Sequence, residues 1–380
     1  MTDKELMLGK ILDKIADEIT ITPTMQEKAV KSYEAVGQWL GEGIDFDVRI
    51  MPQGSMNLGT VIKPIDDRDD YDMDLVCLLE NGQSLPLREI KHLVGNRLKE
   101  HATYHRLLEE EGKRCWTMQY DEFHMDILPC VPKDISFIEP FHTDIKLTHK
   151  GEDGLYSPRF SNPYAYHKWF EERMQDILIV EKRAFAAKNH TEIEKVPTYR
   201  MRTPLQKAIQ LLKRHRDMCF QNNADIAPIS IIITTLAAQS YAGEKNVFEA
   251  LNNIVAKMPE HIEYRSGVYW ISNPVMQEEN FADKWATEPE KRTAFMKWVA
   301  KAQSDLLTDP LGFLGIENIS AHYQKWLGEA PVGRAIRAMG YETKAARESG
   351  NLYVNGLTGG LSTAATTNSR PVEEHTFFGK

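Results

Sequence analysis

The chain has 380 residues and a mass of 43.5 kDa, with 42% hydrophobic and 27% charged residues. This composition supplies enough apolar material for a large core or two lobes, and it excludes a collagen-like, coiled-coil or wholly disordered chain. The formal net charge of −9 disfavours nucleic acid as a partner for the surface as a whole. No apolar run reaches the ~18 residues that a bilayer span requires.

The start of the chain is charged at once and lacks the apolar region of a signal peptide, so we expect a cytoplasmic protein. The cysteines form no C-x-x-C pair, and we find no histidine at a metal-binding spacing from them. They are Cys77, Cys115, Cys130 and Cys219. We therefore expect reduced thiols, and neither a zinc site nor a disulfide framework.

Two helices are predicted at the start of the chain. The first covers residues 4–20, where apolar residues recur at helical spacing. The second is expected from Thr24 to about Leu40, because Thr24 and Glu27 form a capping-box pattern and two glycines follow.

The pattern then becomes that of a small sheet with helices. Alternation predicts a half-buried strand over residues 46–50, a turn at residues 53–55 and a further short strand over residues 58–62. An acidic loop over residues 66–70 precedes a strand over residues 71–79, whose later part is apolar enough for full burial. The remaining elements of this mixed α/β lobe are a helix over residues 86–100 and strands over residues 114–119 and 123–128.

From about residue 163 the pattern is helical. Pro204 opens one helix, where its missing N–H leaves no unpaired donor. Further helices are expected over residues 228–242, 244–257 and 289–307. The Gly-, Thr- and Ser-rich segment from Gly356 predicts a flexible tail. The expected organisation is α+β and bilobed, with an α/β lobe over residues 1–160, a helical lobe over residues 161–355 and a tail over residues 356–380.

Three aspartates carry the chemistry that the sequence predicts. Asp72 and Asp74 lie two residues apart on one strand, so their carboxylates point to the same face. At ~5 Å and an effective dielectric near 20 they repel by roughly 3 kcal/mol, which a divalent cation with oxygen ligands offsets. Asp126 lies on another predicted strand and closes a two-metal site if the two strands are neighbours.

Such a site suits phosphoryl or nucleotidyl transfer, because one ion activates the attacking hydroxyl while the other holds the triphosphate. Gly54 lets the backbone approach a phosphate, and Ser55 adds an N–H and a hydroxyl. We therefore predict a Mg²⁺ site with two ions, for which Mn²⁺ is a substitute.

A calcium-binding EF-hand does not fit these residues. Counted from Asp70, positions six and twelve are Leu75 and Asn81, where the motif requires Gly and Glu. A solvated acidic loop explains residues 66–70, but it does not explain carboxylates on a strand that enters the core, because such groups need partners.

Several segments together form a pattern that is more specific than any one of them. They are Gln53-Gly54-Ser55-Met56-Asn57-Leu58-Gly59-Thr60, Asp72-Met73-Asp74-Leu75-Val76, Met125-Asp126-Ile127-Leu128-Pro129, Asn162-Pro163-Tyr164, the helix Leu205–Asp217, Pro228–Leu236 and Asn273-Pro274. On these segments the chain resembles the polymerase-β-like nucleotidyltransferases. More narrowly, it is similar over roughly residues 25–310 to the bacterial cGAS/DncV-like nucleotidyltransferases (CD-NTases) of anti-phage CBASS operons.

The resemblance implies a polymerase-β-like fold that joins NTPs, ATP among them and GTP as another candidate, into cyclic di- or oligonucleotide second messengers. By position, Lys213 resembles the family's triphosphate-binding lysine and Ser230 the serine that hydrogen-bonds the same group. The alternatives are a solvated helix face for Lys213 and a plain helix cap for Ser230. Gln53 is a further candidate for contact with the donor nucleotide.

The family also implies partners. Operon proteins of the ubiquitin-transfer type act on the C-termini of some members, and HORMA-type regulators act on others. The zinc thumb by which animal cGAS binds DNA has no counterpart in this sequence. Two alternatives to a cyclic oligonucleotide synthase remain: a nucleotidyltransferase that modifies an RNA 3′ end, a small molecule or a protein, and a non-catalytic nucleotide-binding partner.

Overall fold

The structure is a computed structural model that describes residues 1–65, 70–134, 138–139, 142–355, 360–363, 365 and 368–372. Residues 66–69 of the predicted acidic loop and parts of the predicted tail, including its end, lie outside the described residues. In chain order, the first half contains α1 (Asp3–Ile19), α2 (Pro23–Gly43), β1 (Val48–Pro52), α3 (Gly54–Leu58), β2 (Tyr71–Leu79), α4 (Leu87–Glu100), α5 (Ala102–Leu107), β3 (Trp116–Gln119), β4 (Phe123–Pro132), β5 (Ile145–Lys150) and β6 (Tyr156–Ser161).

These six strands form one mixed sheet. The strand order is β1-β2-β4-β5-β6, and β3 also pairs with β4. Strands β2 and β4 are parallel neighbours, whereas the other pairs are antiparallel. The two strands that carry the predicted aspartates therefore lie side by side at the centre of the sheet.

The two faces of the sheet differ because side chains alternate along each strand. On β2, the residues from Tyr71 to Leu79 at every second position join a core shared with α2 and α4. Asp72 and Asp74 occupy the intervening positions and point to the opposite face. That face carries a small apolar cluster near the other end of the strands, which includes Leu128 and Leu147.

The second half of the chain is mainly helical. Its elements are α6 (Pro163–Arg173), α7 (Gln175–Asn189), α8 (Pro204–Cys219), α9 (Ser230–Ser240), α10 (Val247–Lys257), β7 (Glu263–Arg265), β8 (Val268–Trp270), β9 (Ser272–Asn273), β10 (Met276–Asn280), α11 (Pro289–Gln303), α12 (Asp309–Gly312), α13 (Ile316–Leu327), α14 (Glu329–Glu348), β11 (Tyr353–Asn355), β12 (Leu361–Ser362) and β13 (Ser369–Pro371). A π-helical turn joins α11 to α12. No helix in the described part of the chain has both the length and the apolar content that a bilayer crossing demands.

The α+β, two-lobe prediction is confirmed, and the structure adds detail at the N-terminus. The buried side chains of α1 belong to the core of the helical half, whereas the sequence analysis placed this helix with the first lobe. Helix α2 begins at Pro23, and the Thr22 side chain accepts a hydrogen bond from the Met25 N–H. The predicted capping box at Thr24 is therefore wrong, because Pro23 takes the first helical position and the extended residue before it becomes the cap.

Two further local predictions differ from the structure. The predicted turn at residues 53–55 instead starts the five-residue helix α3. The predicted strand over residues 58–62 is reduced to one bridge between Ile62 and Thr20. Within the tail, β12 and β13 pair with β11, so part of the segment predicted to be flexible is a small sheet.

Candidate active site

Three carboxylates meet on the face of the sheet opposite α2 and α4. Asp74 on β2 is the direct partner of Asp126 on β4 in the parallel register. Neighbouring strands lie about 4.8 Å apart, so these two side chains project side by side. Asp72 lies two residues before Asp74 on the same face, and its side chain is 74% exposed. The sequence prediction that β2 and β4 are neighbours is therefore confirmed.

The ionised form of Asp74 is disfavoured by burial and by the neighbouring carboxylates. Burial, followed by the negative charges of Asp126 and Asp72, raises the pKa of Asp74 to about 6. Lys213 and His124 act on this pKa in the opposite direction. A site with this balance favours a bound cation, and carboxylate oxygens are the ligands that Mg²⁺ prefers. The residues present therefore fit a magnesium site.

Two side chains that the sequence analysis did not single out orient these carboxylates. The Thr117 hydroxyl donates to Asp126 Oδ1 at 2.5 Å, because β3 places it directly opposite Asp126. His124 Nε2 pairs with Asp72 Oδ1 across the parallel strands. His124 was detectable from strand alternation, since it lies two residues before Asp126. Thr117 was not, because the register of β3 depends on tertiary structure.

The start of α3 lies directly against this centre. The Gln53 N–H donates to the Asp74 carbonyl at 2.9 Å, which fixes the segment to β2. Gly54 has φ of +59°, and a Cβ at this position would lie 2.5 Å from Asp74 Oδ2. Only glycine therefore fits here without displacing the carboxylate. Ser55 follows in the first turn, half-buried, and its carbonyl accepts from the Thr60 N–H at 2.9 Å.

Lys213 projects from α8 beneath the loop that follows α3. Its ammonium donates to the Thr60 carbonyl at 3.1 Å and to the Thr60 hydroxyl at 3.2 Å. The side chain is buried, so the predicted alternative of a solvated helix face is wrong. Burial lowers the pKa of Lys213 to about 7, with a further lowering from Arg216, while Asp74 and Asp72 raise it. The ammonium is therefore within electrostatic reach of the carboxylates.

Helix α8 is bonded to this loop through side chains between Gln206 and Arg214. Six hydrogen bonds run from four α8 side chains to residues 58–64. The bonds are Gln206 to the Leu58 carbonyl at 2.9 Å, Gln210 to the Val61 carbonyl at 2.8 Å, Lys213 to both oxygens of Thr60, and Arg214 to the carbonyls of Lys63 at 2.6 Å and Pro64 at 3.1 Å. We call this set the α8 ladder.

A cavity of about 980 Å³ lies between the sheet face and the helical half. Gln53, Gly54 and Cys115 line it, so it reaches the carboxylate centre, although the three aspartates lie beside its lining. On the opposite wall, Ile229 and Ile231 at the start of α9 contribute. Ser230 between them is exposed, and its hydroxyl accepts from Arg216 Nη1 at 3.3 Å.

A second group of metal-binding residue types lies in the helical half, at an i, i+4 spacing that the sequence analysis overlooked. His215, Cys219 and Asp305 lie within reach of one another. However, His215 Nδ1 accepts from Trp298 at 3.0 Å, and His215 Nε2 donates to Asp305 at 3.0 Å. Lys301 pairs with the same carboxylate at 2.9 Å. Both histidine nitrogens are occupied, so this group is a hydrogen-bonded part of the core.

Comparisons with known proteins agree with this geometry. Residues 48–129, which include β1 to most of β4, match the nucleotidyltransferase domain of the cyclic GMP-AMP synthase DncV-like family. A c-di-GMP synthase of Roseivirga ehrenbergii is 30% identical over 389 residues, which cover 100% of this chain and 99% of that protein. The cyclic dinucleotide synthase CdnG of Bradyrhizobium diazoefficiens is 24% identical over 406 residues, with 98% and 95% of the two chains covered.

The fold is also found in solved structures. The structure of Bradyrhizobium diazoefficiens CdnG in complex with GTP superposes with a TM-score of 0.69 at 22% identity, covering 88% of this chain and 99% of that one. The Escherichia coli CdnC complex with HORMA has a TM-score of 0.59 at 14% identity, covering 84% and 96%. The full-length match at 30% identity, together with the site geometry, shows that the chain belongs to the DncV-like nucleotidyltransferases, the CD-NTases.

Proposed function

We propose that this nucleotidyltransferase makes a cyclic dinucleotide second messenger from NTPs at the centre formed by Asp72, Asp74 and Asp126. The observation that carries the proposal is the parallel register of β2 and β4, which sets Asp74 directly beside Asp126. Two Mg²⁺ ions, or Mn²⁺ in their place, would be held by the three carboxylates. When bound, the ions supply activation of the attacking hydroxyl and stabilisation of the leaving pyrophosphate.

Within this mechanism Asp126 orients and deprotonates the acceptor. Its Oδ1 atom accepts the hydrogen bond from Thr117, which leaves Oδ2 to accept the proton of a 3′- or 2′-hydroxyl. The donor triphosphate would lie against the first turn of α3, where Gly54 allows close approach and Ser55 and Gln53 provide polar groups. Lys213 on α8 would contribute a positive charge, and Ser230 on the opposite wall of the cavity would contribute a hydroxyl.

The product class is supported by the relatives. Two of them are named as a c-di-GMP synthase and a cyclic dinucleotide synthase. We therefore propose GTP as one substrate, and ATP, expected from the sequence, as the second nucleotide to test. A cavity of about 980 Å³ is at the upper end of ordinary ligand pockets and provides room for two nucleotides.

The biological setting is proposed on the same basis. The enzyme acts in anti-phage defence in the cytoplasm, and its messenger activates a separate effector. A HORMA-type regulator is one candidate partner, since the E. coli relative CdnC is described in such a complex. A partner that acts on the tail is the other. The proposed lobes are residues 1–160 and 161–355, with α1 of the first packed into the core of the second, followed by the tail over residues 356–380.

The test is product formation from the four NTPs with Mg²⁺, followed by phosphatase treatment and mass spectrometry. The wild-type protein should yield a phosphatase-resistant cyclic dinucleotide, and Asp72→Asn with Asp74→Asn should abolish it. The matched control is Asp45→Asn with Asp47→Asn, a second D-x-D pair that is exposed at the opposite end of the sheet. Undiminished synthesis by the Asp72/Asp74 variant contradicts the assignment. Product that forms only with RNA or protein present favours the alternative acceptors.

A further inference from the structure

Basic side chains gather along one stretch of the cavity wall, beyond Asp126. Lys113, Arg114 and His149 all line the cavity. Arg159 lies on β6 opposite Leu147, on the same sheet face, and its charge acts on His149. This group, which we call the basic wall, comes from three separate segments of the chain and shares no residue with the proposed donor site.

The basic wall begins close to the carboxylate centre. The Cys115 thiol lies 3.7 Å from the Thr117 hydroxyl, which is bonded to Asp126. Burial, and then the Asp126 charge, raise the pKa of this thiol. Arg114 immediately precedes Cys115 in the chain, and Lys113 precedes Arg114. Three residues of chain span at most about 10 Å, so the backbone of Arg114 lies within this distance of Thr117, which is bonded to Asp126.

The backbone next to Arg114 is held in place by hydrogen bonds from Lys91 and Lys150. The buried ammonium of Lys91 donates to the Gly112 carbonyl. The Lys150 N–H donates to the Lys113 carbonyl at 2.8 Å, and its ammonium pairs with Glu111 at 2.7 Å. These bonds join the segment to α4 and β5, so the positions of the two cations that follow are preorganised.

The cations of the basic wall have few anionic partners of their own. Within the described residues, neither Arg114 nor Arg159 makes an ion pair, and Lys113 pairs only with the exposed Glu152 at 3.1 Å. His149 Nδ1 is buried without a hydrogen-bond partner. Burial, followed by the positive charges of Arg159, Arg114 and Lys113, lowers the pKa of His149. Unpaired like charges at a cavity favour a bound anion, as the carboxylates favour a cation.

We infer that Arg114, Arg159 and His149 bind the 5′-triphosphate of the acceptor nucleotide, and of the linear intermediate that it becomes. The inference rests on the proposed function, because it needs an acceptor whose hydroxyl lies at Asp126. The donor triphosphate shares the metal-binding centre, so a second polyanion next to three carboxylates would be repelled. The basic wall offers charge of the opposite sign on the side of Asp126 away from β2. Arginine suits phosphate because its planar guanidinium donates two parallel hydrogen bonds.

The experiment lets two acceptors compete for one donor. GTP and guanosine at equal concentration are incubated with the enzyme and Mg²⁺. Mass spectrometry measures the ratio of all products of the GTP acceptor, pppGpG plus the cyclic dinucleotide formed from it, to GpG. ATP with adenosine is run in parallel. The donor is the same for both products, so its binding cancels in the ratio. The variant is Arg114→Gln with Arg159→Gln, both exposed, and the control is Arg347→Gln on α14, which is exposed and remote.

The wild type should strongly prefer the triphosphate acceptor, and the double variant should reduce the ratio at least tenfold. The Arg347 control should leave it unchanged. A ratio that stays within twofold of wild type in the double variant overturns the inference, as does a wild-type enzyme that uses guanosine as readily as GTP. A wild-type protein that makes no dinucleotide from any NTP refutes the proposed function and the inference with it. Thermal unfolding of each variant verifies that the fold is intact.

Discussion

Replacement of Gly54 by alanine tests how closely α3 and the carboxylate centre are fitted. The added Cβ would lie 2.5 Å from Asp74 Oδ2, whereas ordinary contacts begin at 3.4 Å. The carboxylate must therefore retreat by about 0.9 Å, the difference between these distances. A misplacement of about 1 Å in an active site reduces turnover on the order of 100-fold. We expect that loss in kcat, measured as the initial rate of dinucleotide formation at saturating NTP and Mg²⁺.

The control separates this clash from backbone strain. Gly243 also has positive φ, +87°, but a Cβ there meets no atom within 4 Å. Alanine at either position should reduce the free energy of unfolding by about 1–2 kcal/mol, because both adopt left-handed backbone. Only Gly54→Ala should lose activity. If Gly54→Ala retains activity within threefold of wild type, the fit between α3 and Asp74 does not matter for function. If Gly243→Ala is equally inactive, the loss reflects stability alone.

Three further predictions concern the carboxylates and Lys213. The pKa of Asp74 is about 6 in the folded protein, whereas its ordinary value is 3.8. The wild type therefore loses stability as pH rises through this interval. Asp74→Asn should have a higher melting temperature than wild type in EDTA at pH 7, and the difference should vanish below about pH 4. A higher melting temperature for wild type at pH 7 would contradict this. Because burial lowers the pKa of Lys213 to about 7 while the unfolded chain stays protonated to about pH 10.4, the melting temperature of wild type relative to Lys213→Met should rise between pH 7 and 10. A difference in melting temperature that stays constant from pH 7 to 10 would contradict the lowered pKa of Lys213. Thr117→Val removes the 2.5 Å hydrogen bond to Asp126 and should lower kcat about tenfold with little change in KM; a change confined to KM would place Thr117 in substrate binding instead.

The aspartates could be predicted from sequence because alternation along a strand is local. Asp72 and Asp74 are two residues apart, so any strand at this position puts them on one face. The sequence also allowed Asp126 to join them on a neighbouring strand, but the parallel register that sets it beside Asp74 is seen only in the structure. The basic wall could not be predicted in this way, because Arg114 precedes β3 while His149 and Arg159 lie on β5 and β6, and these segments meet only through strand pairing with β4 and β5.

Errors at the element boundaries have similar causes. Thr24 and Glu27 fit a capping box, but Pro23 is better placed in the first turn and shifts the cap to Thr22. The loop after α3 has the alternation of a strand, yet its carbonyls are used by the side chains of α8 instead of a neighbouring strand. In both places a competing hydrogen bond or a fixed dihedral angle decides the outcome, and neither is visible in the periodicity.

The α8 ladder limits how the enzyme can admit its substrates. A hydrogen bond of this kind contributes about 1 kcal/mol, so swinging the two halves apart at this point would sacrifice several kcal/mol at once. In five of the six bonds the acceptor is a backbone carbonyl. We therefore expect nucleotides to enter and leave the cavity without separation of α8 from this loop. The residues proposed to carry out nucleotidyl transfer would then keep their relative positions between turnovers.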